Sequence, residues 1–167
     1  APVSALFELR KNTGISFTNT VSNNKDFNIF SYRNFYNGGG AAIGDINNDG
    51  WADVFFTANM GSNKLFLNKG NWQFDDISEK AGITGRDQWN TGVVMVDINN
   101  DGLPDVITVD MLPEDNYRRK TMLGPNNYST YINNEKYGLQ YQYIRNTLQL
   151  NQGSDPVTGN PIFSDVS

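Results

Sequence analysis

Asp45-Ile46-Asn47-Asn48-Asp49-Gly50-Trp51-Ala52-Asp53 is repeated, further along the chain, as Asp97-Ile98-Asn99-Asn100-Asp101-Gly102-Leu103-Pro104-Asp105. Both stretches read D-I-N-N-D-G-x-x-D. Oxygen-bearing side chains at positions 1, 3 and 5 converge on one side of a tight loop, and glycine at position 6 permits the sharp turn. The carbonyl of position 7 turns inward and Asp at position 9 closes the shell. A site made of oxygen donors alone suits a hard cation, Ca²⁺ above all. The expected ligands are Asp45, Asn47, Asp49, the Trp51 carbonyl and Asp53 in the first loop. In the second they are Asp97, Asn99, Asp101, the Leu103 carbonyl and Asp105. A single loop of this kind is explained as well by an Asx-rich turn that solvates its own polar groups. Two copies, each crowding three carboxylates into one loop, repel themselves unless a cation is bound.

The spacing excludes an EF-hand, which needs a bidentate Glu at position 12. Phe56 and Thr108 stand there instead. Dockerin modules also carry an acid at that position and a helix after the loop. Here the loops run into Asp53-Val54-Phe55-Phe56-Thr57 and Asp105-Val106-Ile107-Thr108-Val109, β-branched and aromatic runs that read as strands. Gly40-Ala41-Ala42-Ile43-Gly44 and Gly92-Val93-Val94-Met95-Val96 precede them as short buried strands. Each unit is therefore strand, loop, strand.

The similarity continues past the loops. Asn63-Lys64-Leu65-Phe66-Leu67-Asn68-Lys69-Gly70 is echoed by Asn146-Thr147-Leu148-Gln149-Leu150-Asn151-Gln152-Gly153, and Phe74-Asp75-Asp76-Ile77-Ser78 by Phe163-Ser164-Asp165-Val166-Ser167. Each repeat supplies four short strands, A to D, with Gly70 and Gly153 expected in the C–D hairpins. Four-stranded repeats of this length mark an all-β chain built of β-propeller blades, each a sheet of four antiparallel strands. Residues 1–21 read as a half-blade, with Leu6–Leu9 as strand C and Gly14–Asn19 as turn and strand D. Residues 22–83 read as a linker loop plus the first full blade, and 84–167 as the second, carrying an insertion at 110–145. A ring takes roughly four to eight blades, so the expectation is a partial ring completed by further blades from the rest of the chain. A small open meander, complete as it stands, is the alternative.

The D-x-N-x-D-G-x-x-D loop between strands, the N-x-L-x-x-N-x-G step and the F-x-D-[IV]-S ending resemble FG-GAP/VCBS repeats, the calcium-loop blades of integrin α-subunit propellers and of many secreted bacterial proteins. Gly39-Gly40-Ala41-Ala42 is a loose version of the FG-GAP signature itself. The resemblance is closest to large bacterial cell-surface VCBS-repeat proteins and covers nearly the whole chain outside the insertion. It implies a propeller used for adhesion or binding.

Composition agrees with a metal-loaded, extracellular chain. The net charge is −5, and six of the acids belong to the two loops, so two Ca²⁺ ions would cancel most of it. Clustered Lys and Arg of the kind that grips nucleic acid are missing. Neither cysteine nor histidine occurs. That removes disulfides, thiolate chemistry and the commonest general base and transition-metal ligand. No stretch is long and apolar enough for a transmembrane helix. Open calcium loops usually need the high Ca²⁺ found outside cells, which places the chain in a secreted or cell-surface protein.

In a four-stranded blade the A–B and C–D loops share one end and the D–A and B–C connections the other. The calcium loops occupy the first end; the long segments 21–39, 84–91 and 110–145 occupy the second. The insertion opens Met111-Leu112-Pro113-Glu114-Asp115, a helix N-terminus by composition, with a helix over 116–123 and a weaker one over 129–143. It holds Tyr117, Tyr128, Tyr131, Tyr137, Tyr141 and Tyr143. Together with Arg33, Phe35, Tyr36, Trp89, Asn90 and Arg118, it predicts a ligand face rich in aromatics, amides and arginine, suited to a glycan or a protein partner. The same tyrosines equally suit packing of the insertion onto the propeller. Trp51 is expected to pack against a neighbouring blade, and Arg118-Arg119-Lys120 to be a solvated helix face. The sequence thus favours a non-catalytic recognition or adhesion module. The alternative is a catalytic or accessory module of a carbohydrate-active enzyme, using Asp110, Glu114, Asp115 or Glu135.

Overall fold

The structure is a computed structural model that describes residues 7–25, 27–30, 34–85, 89–110 and 146–167. Two four-stranded antiparallel sheets account for all the regular structure among these residues. The first runs β1 (Ala41–Gly44), β2 (Asp53–Phe56), β3 (Lys64–Asn68) and β4 (Phe74–Asp76). The second runs β5 (Asn90–Val96), β6 (Asp105–Asp110), β7 (Thr147–Ser154) and β8 (Pro161–Asp165). In both, spatial order follows chain order, which is the up-and-down meander of a propeller blade.

The registers make the repeat a structural one. Ala42 pairs with Phe55 and Phe55 with Leu65, just as Val94 pairs with Ile107 and Ile107 with Leu148. Successive strand residues point to opposite faces, so each sheet has a front and a back. Ala42, Phe55, Leu65 and Leu67 form the front of the first; Ile43, Val54 and Phe66 lie on its back. In the second sheet Val94, Ile107, Leu148 and Leu150 are frontal, and Met95 and Val106 lie behind.

The sheets pack front to back. Phe55, Leu65 and Leu67 join Ile46, Ile77, Ala81 and Ile83 in one core with Val106, and Val93, Met95 and Phe163 of the second sheet close over it. Each large side chain buried here is worth roughly 1.5–3 kcal/mol. Close approach is secured at Gly40, where a Cβ would lie 2.5 Å from the Thr91 carbonyl oxygen. Buried Thr57 bridges the sheets at the same point: its hydroxyl accepts from Gly40 N (2.6 Å) and donates to Thr91 O (2.8 Å).

Three expectations change. Strand A of the second blade starts at Asn90, earlier than the connection assigned to 84–91, and its register shifts between Asn90 and Val93. Gly153 lies inside β7 at an irregularity between Asn151 and Ser154, not at the hairpin tip. The turn is at 155–160, where Asp155 N donates to Asn160 O and Gly159 N to Asp155 O. Residues 7–40 contain no strand among those described. Thr13 O accepts from Phe74 N (2.8 Å) as Ala81 O accepts from Phe163 N (3.1 Å). Thr13-Gly14-Ile15-Ser16 therefore stands where Ala81-Gly82-Ile83-Thr84 stands one blade later, and is a strand D–to–A link rather than the turn and strand D. The insertion expected at 110–145 lies outside the described residues, apart from Asp110 at the end of β6.

Candidate metal loops

Each loop is held by the same hydrogen bonds. Asp45 accepts from Asp49 N (3.1 Å) and Gly50 N (2.8 Å), and Asp97 from Asp101 N (3.1 Å) and Gly102 N (2.9 Å). The amide oxygens of Asn47 and Asn99 accept from those same Asp49 and Asp101 N–H groups, at 3.3 and 3.1 Å. Asp49 accepts from Trp51 N and Asp101 from Leu103 N, both at 2.8 Å. The second oxygens of Asp49 and Asp101 receive the side-chain N–H of Asn47 (2.9 Å) and Asn99 (2.8 Å). Positions 1, 3 and 5 are thus drawn onto one side of the turn in both copies. The chain turns back through left-handed backbone at Asn48 and Gly50 (φ 57° and 87°) and at Asn100 and Gly102 (φ 61° and 88°). Glycine and asparagine tolerate that region best.

Position 9 has a job the spacing did not disclose. Asp53 is fully buried; one oxygen accepts from Ile46 N (2.9 Å) and the other from Asn68 N (2.7 Å). Asp105, equally buried, accepts from Ile98 N (3.0 Å) and Asn151 N (2.8 Å). Each carboxylate bolts the start of its loop to strand C. Burial pushes the Asp53 carboxyl up to about 6 against the pull of the Asn68 and Ile46 N–H groups, and the nearby Asp49 and Asp45 charges raise it further. The loop concentrates negative charge that the described side chains leave uncompensated.

Among the described residues no group of three or more acidic, cysteine or histidine side chains is gathered closely enough to hold a metal. The donor set that fits a hard cation here is mixed: two carboxylates, an asparagine amide oxygen and a main-chain carbonyl. The position-9 oxygens each keep a second lone pair.

The repeated asparagine of the N-x-L-x-x-N-x-G step is a second unforeseen site residue. Asn68 donates to Ala52 O (2.9 Å) and accepts from Gly70 N (2.9 Å). Asn151 donates to Pro104 O (3.2 Å), accepts from Gly153 N (3.0 Å), and also reaches Ile46 O in the first blade's loop (2.8 Å). Asn48 answers from the first loop to Gly102 O in the second (2.8 Å). The loops are thereby linked to each other across the blade interface. The sequence signal was the recurrence of this asparagine in both repeats.

These features, a D-x-N-x-D-G-x-x-D turn bolted between strands A and B of a four-stranded sheet, coincide with a match to the FG-GAP-like repeat over residues 45–108. The chain also has vertebrate relatives. The chain is similar to cartilage acidic protein 1 of Xenopus tropicalis, 40% identical over 75 residues, which are 44% of this chain and 12% of the relative. It is 36% identical to the mouse protein of that name over 70 residues and 36% identical to the human one over 73 residues. These matches span 11% of each of those two relatives' lengths. They lend no support to the expected closeness to bacterial cell-surface proteins.

The expected ligand face does not form as drawn. Phe35, Trp89 and Asn90 are buried. Phe35 and Trp89 pack with Phe27 and Val21 as a second apolar cluster. Asn90 sits in an asparagine network in which Asn59 donates to Asn90 O and Gly38 O, both at 3.0 Å. Tyr36 alone of the described set is exposed, its hydroxyl accepting from Asn23 (2.6 Å). Arg33, Tyr117, Arg118 and Tyr128 lie outside the described residues, as do Glu114, Asp115 and Glu135.

Proposed function

We propose that this chain is a pair of calcium-fastened propeller blades in a non-enzymatic structural or adhesion module that acts outside the cell. One observation carries the reading: both loops place positions 1, 3 and 5 identically, and both are bolted at position 9 by a buried carboxylate. One Ca²⁺ per loop, taken by Asp45, Asn47, Asp49 and the Trp51 carbonyl, or by Asp97, Asn99, Asp101 and the Leu103 carbonyl, would discharge the repulsion within each turn. Asp53 and Asp105 would keep each loop in shape through their buried bonds to the backbone. The FG-GAP-like match and the cartilage-named relatives support a role in protein interaction and an extracellular setting. Among the described residues no helix is long and apolar enough to cross a membrane. The partner is a protein or a glycan, met by exposed residues such as Tyr36 at the end opposite the loops.

A thermal melt with excess Ca²⁺ and with EDTA tests the reading. A cation at about a hundredfold its Kd adds about 2.7 kcal/mol per site. For a chain of this size that raises Tm by roughly 5–10 °C per site. Equal Tm values in the two buffers would remove calcium from the account.

A further inference from the structure

Asn37-Gly38 is the only asparagine–glycine pair in the sequence, and it stands just before β1. In such a pair the main-chain nitrogen of the second residue reaches the side-chain amide of the first with least hindrance, because glycine has no Cβ to shield it. Two kinds of hydrogen bond protect an asparagine from that attack in a folded chain: those that hold its side-chain amide and those that hold the following N–H. The asparagines around the blade joint have the first. Asn59 donates to Gly38 O and Asn90 O, Asn68 to Ala52 O, Asn151 to Ile46 O and Asn48 to Gly102 O. The Asp-Gly pairs of the two loops, which close the same kind of ring, have the second. Gly50 N donates to Asp45 and Gly102 N to Asp97. Asn37 has neither among the described residues. Its side chain is exposed, and its hydrogen bond is a main-chain one, from Asn37 N to Asn34 O (3.1 Å). Gly38 has left-handed backbone (φ 82°) and open space where a Cβ would stand.

The geometry points to Asn37 as a site of spontaneous deamidation, whose isoaspartate product opens the turn at residues 34–37 beside the blade joint. Gly38 N, losing its proton, bonds to Asn37 Cγ. The Cγ–Nδ2 bond breaks, ammonia leaves with that proton, and a succinimide ring is closed. Water then opens the ring and is the only co-reactant. Addition at Cγ restores the main chain and leaves aspartate. Addition at the main-chain carbonyl carbon leaves isoaspartate, in which the chain runs through Cβ and Cγ and is one methylene longer. The extra length has no room downstream. Gly38 O is held by Asn59 (3.0 Å), and Gly40 O accepts from Thr57 N (3.0 Å). Between them Gly39 lies so close to the end of β2 that a Cβ there would be 2.0 Å from Thr57 O. The methylene is therefore taken up upstream, where the bond from Asn37 N to Asn34 O closes the turn that carries fully buried Phe35. The aspartate product keeps the main chain and that turn.

Incubating the folded whole chain at physiological temperature, beside the same chain unfolded in urea, tests this. Peptide mapping by mass reads the exchange of amide for acid position by position. An endoprotease that cuts before aspartate but not before isoaspartate separates the two products. In the folded chain position 37 is expected to convert ahead of Asn59, Asn68 and Asn151, at a rate within a few-fold of the unfolded chain. The aged protein should show a fraction of lowered Tm that grows with its isoaspartate content. Asn37→Asp, which adds the charge without the length, should melt like fresh wild type, and Asn37→Ser should melt alike before and after ageing. A folded chain whose Asn37 stays intact while the unfolded chain converts would overturn the inference. So would an aged, isoaspartate-rich wild type that melts like fresh protein, or Asn37→Asp melting as low as the aged form.

Discussion

Asn151 and Asn68 hold the same position in the two blades, which turns one substitution into a controlled experiment on the blade joint. Asn68→Ala removes two local bonds, to Ala52 O and from Gly70 N. Asn151→Ala removes their counterparts, at Pro104 O and Gly153 N, and in addition the bond to Ile46 O. A net hydrogen bond contributes about 0.5–1.5 kcal/mol, and a buried group left without a partner costs about 1–3 kcal/mol. Asn68→Ala should therefore cost roughly 1–3 kcal/mol, and Asn151→Ala roughly 1–2 kcal/mol more. In a chain of 167 residues that difference is about 2–8 °C in Tm. Urea titration by far-ultraviolet circular dichroism, at low protein concentration, reads it as a lower midpoint with an unchanged slope. Equal costs, or a larger loss for Asn68→Ala, would refute the claim that Asn151 ties the first loop to the second blade.

Other substitutions probe the remaining joints. Asp105→Ala leaves Ile98 N and Asn151 N without their buried acceptor. It should lower the unfolding free energy by about 2–5 kcal/mol, with Asp105→Asn less costly because it keeps one acceptor. Thr57→Val removes the hydroxyl between Gly40 N and Thr91 O and should cost about 1–3 kcal/mol by the same measurement. At Asp76, burial raises the carboxyl pKa, but hydrogen bonds from Lys64 and Ser78 outweigh it and hold it below the ordinary 3.8. A folded-state pKa below the unfolded one stabilises the fold above 3.8, and that contribution is lost as pH falls from there through the folded value. The Tm gap between wild type and Asp76→Asn should therefore be steady at neutral pH and close in acid; a gap that widens in acid would reverse the assignment.

The loops and strands were legible because their signals are local. Left-handed positions at Asn48 and Gly50 are readable from residue type, and strands such as Asp53–Phe56 follow from β-branched and aromatic runs. What could not be read depends on partners distant in the chain. The spacing marks Asp53 as an acid at position 9 but does not say that Ile46 N and Asn68 N take its oxygens. Trp89 and Phe35 look like contact residues in polar, non-periodic segments, and only their packing with Phe27 and Val21 makes them core. Gly14–Asn19 reads as turn and strand D from residue type alone, whereas the bond from Phe74 N to Thr13 O places Gly14-Ile15 with Gly82-Ile83, in the link between blades. Gly153 aligns with Gly70 and so reads as a hairpin glycine, although the second hairpin extends farther before it turns.

Calorimetric titration with Ca²⁺ tests the central claim most directly, run on wild type and on the pair Asp45→Asn/Asp49→Asn and Asp97→Asn/Asp101→Asn. The loops repeat bond for bond, so wild type should take two ions and each double variant one. Wild type taking none, or either double variant still taking two, would contradict the account of these loops as calcium fasteners.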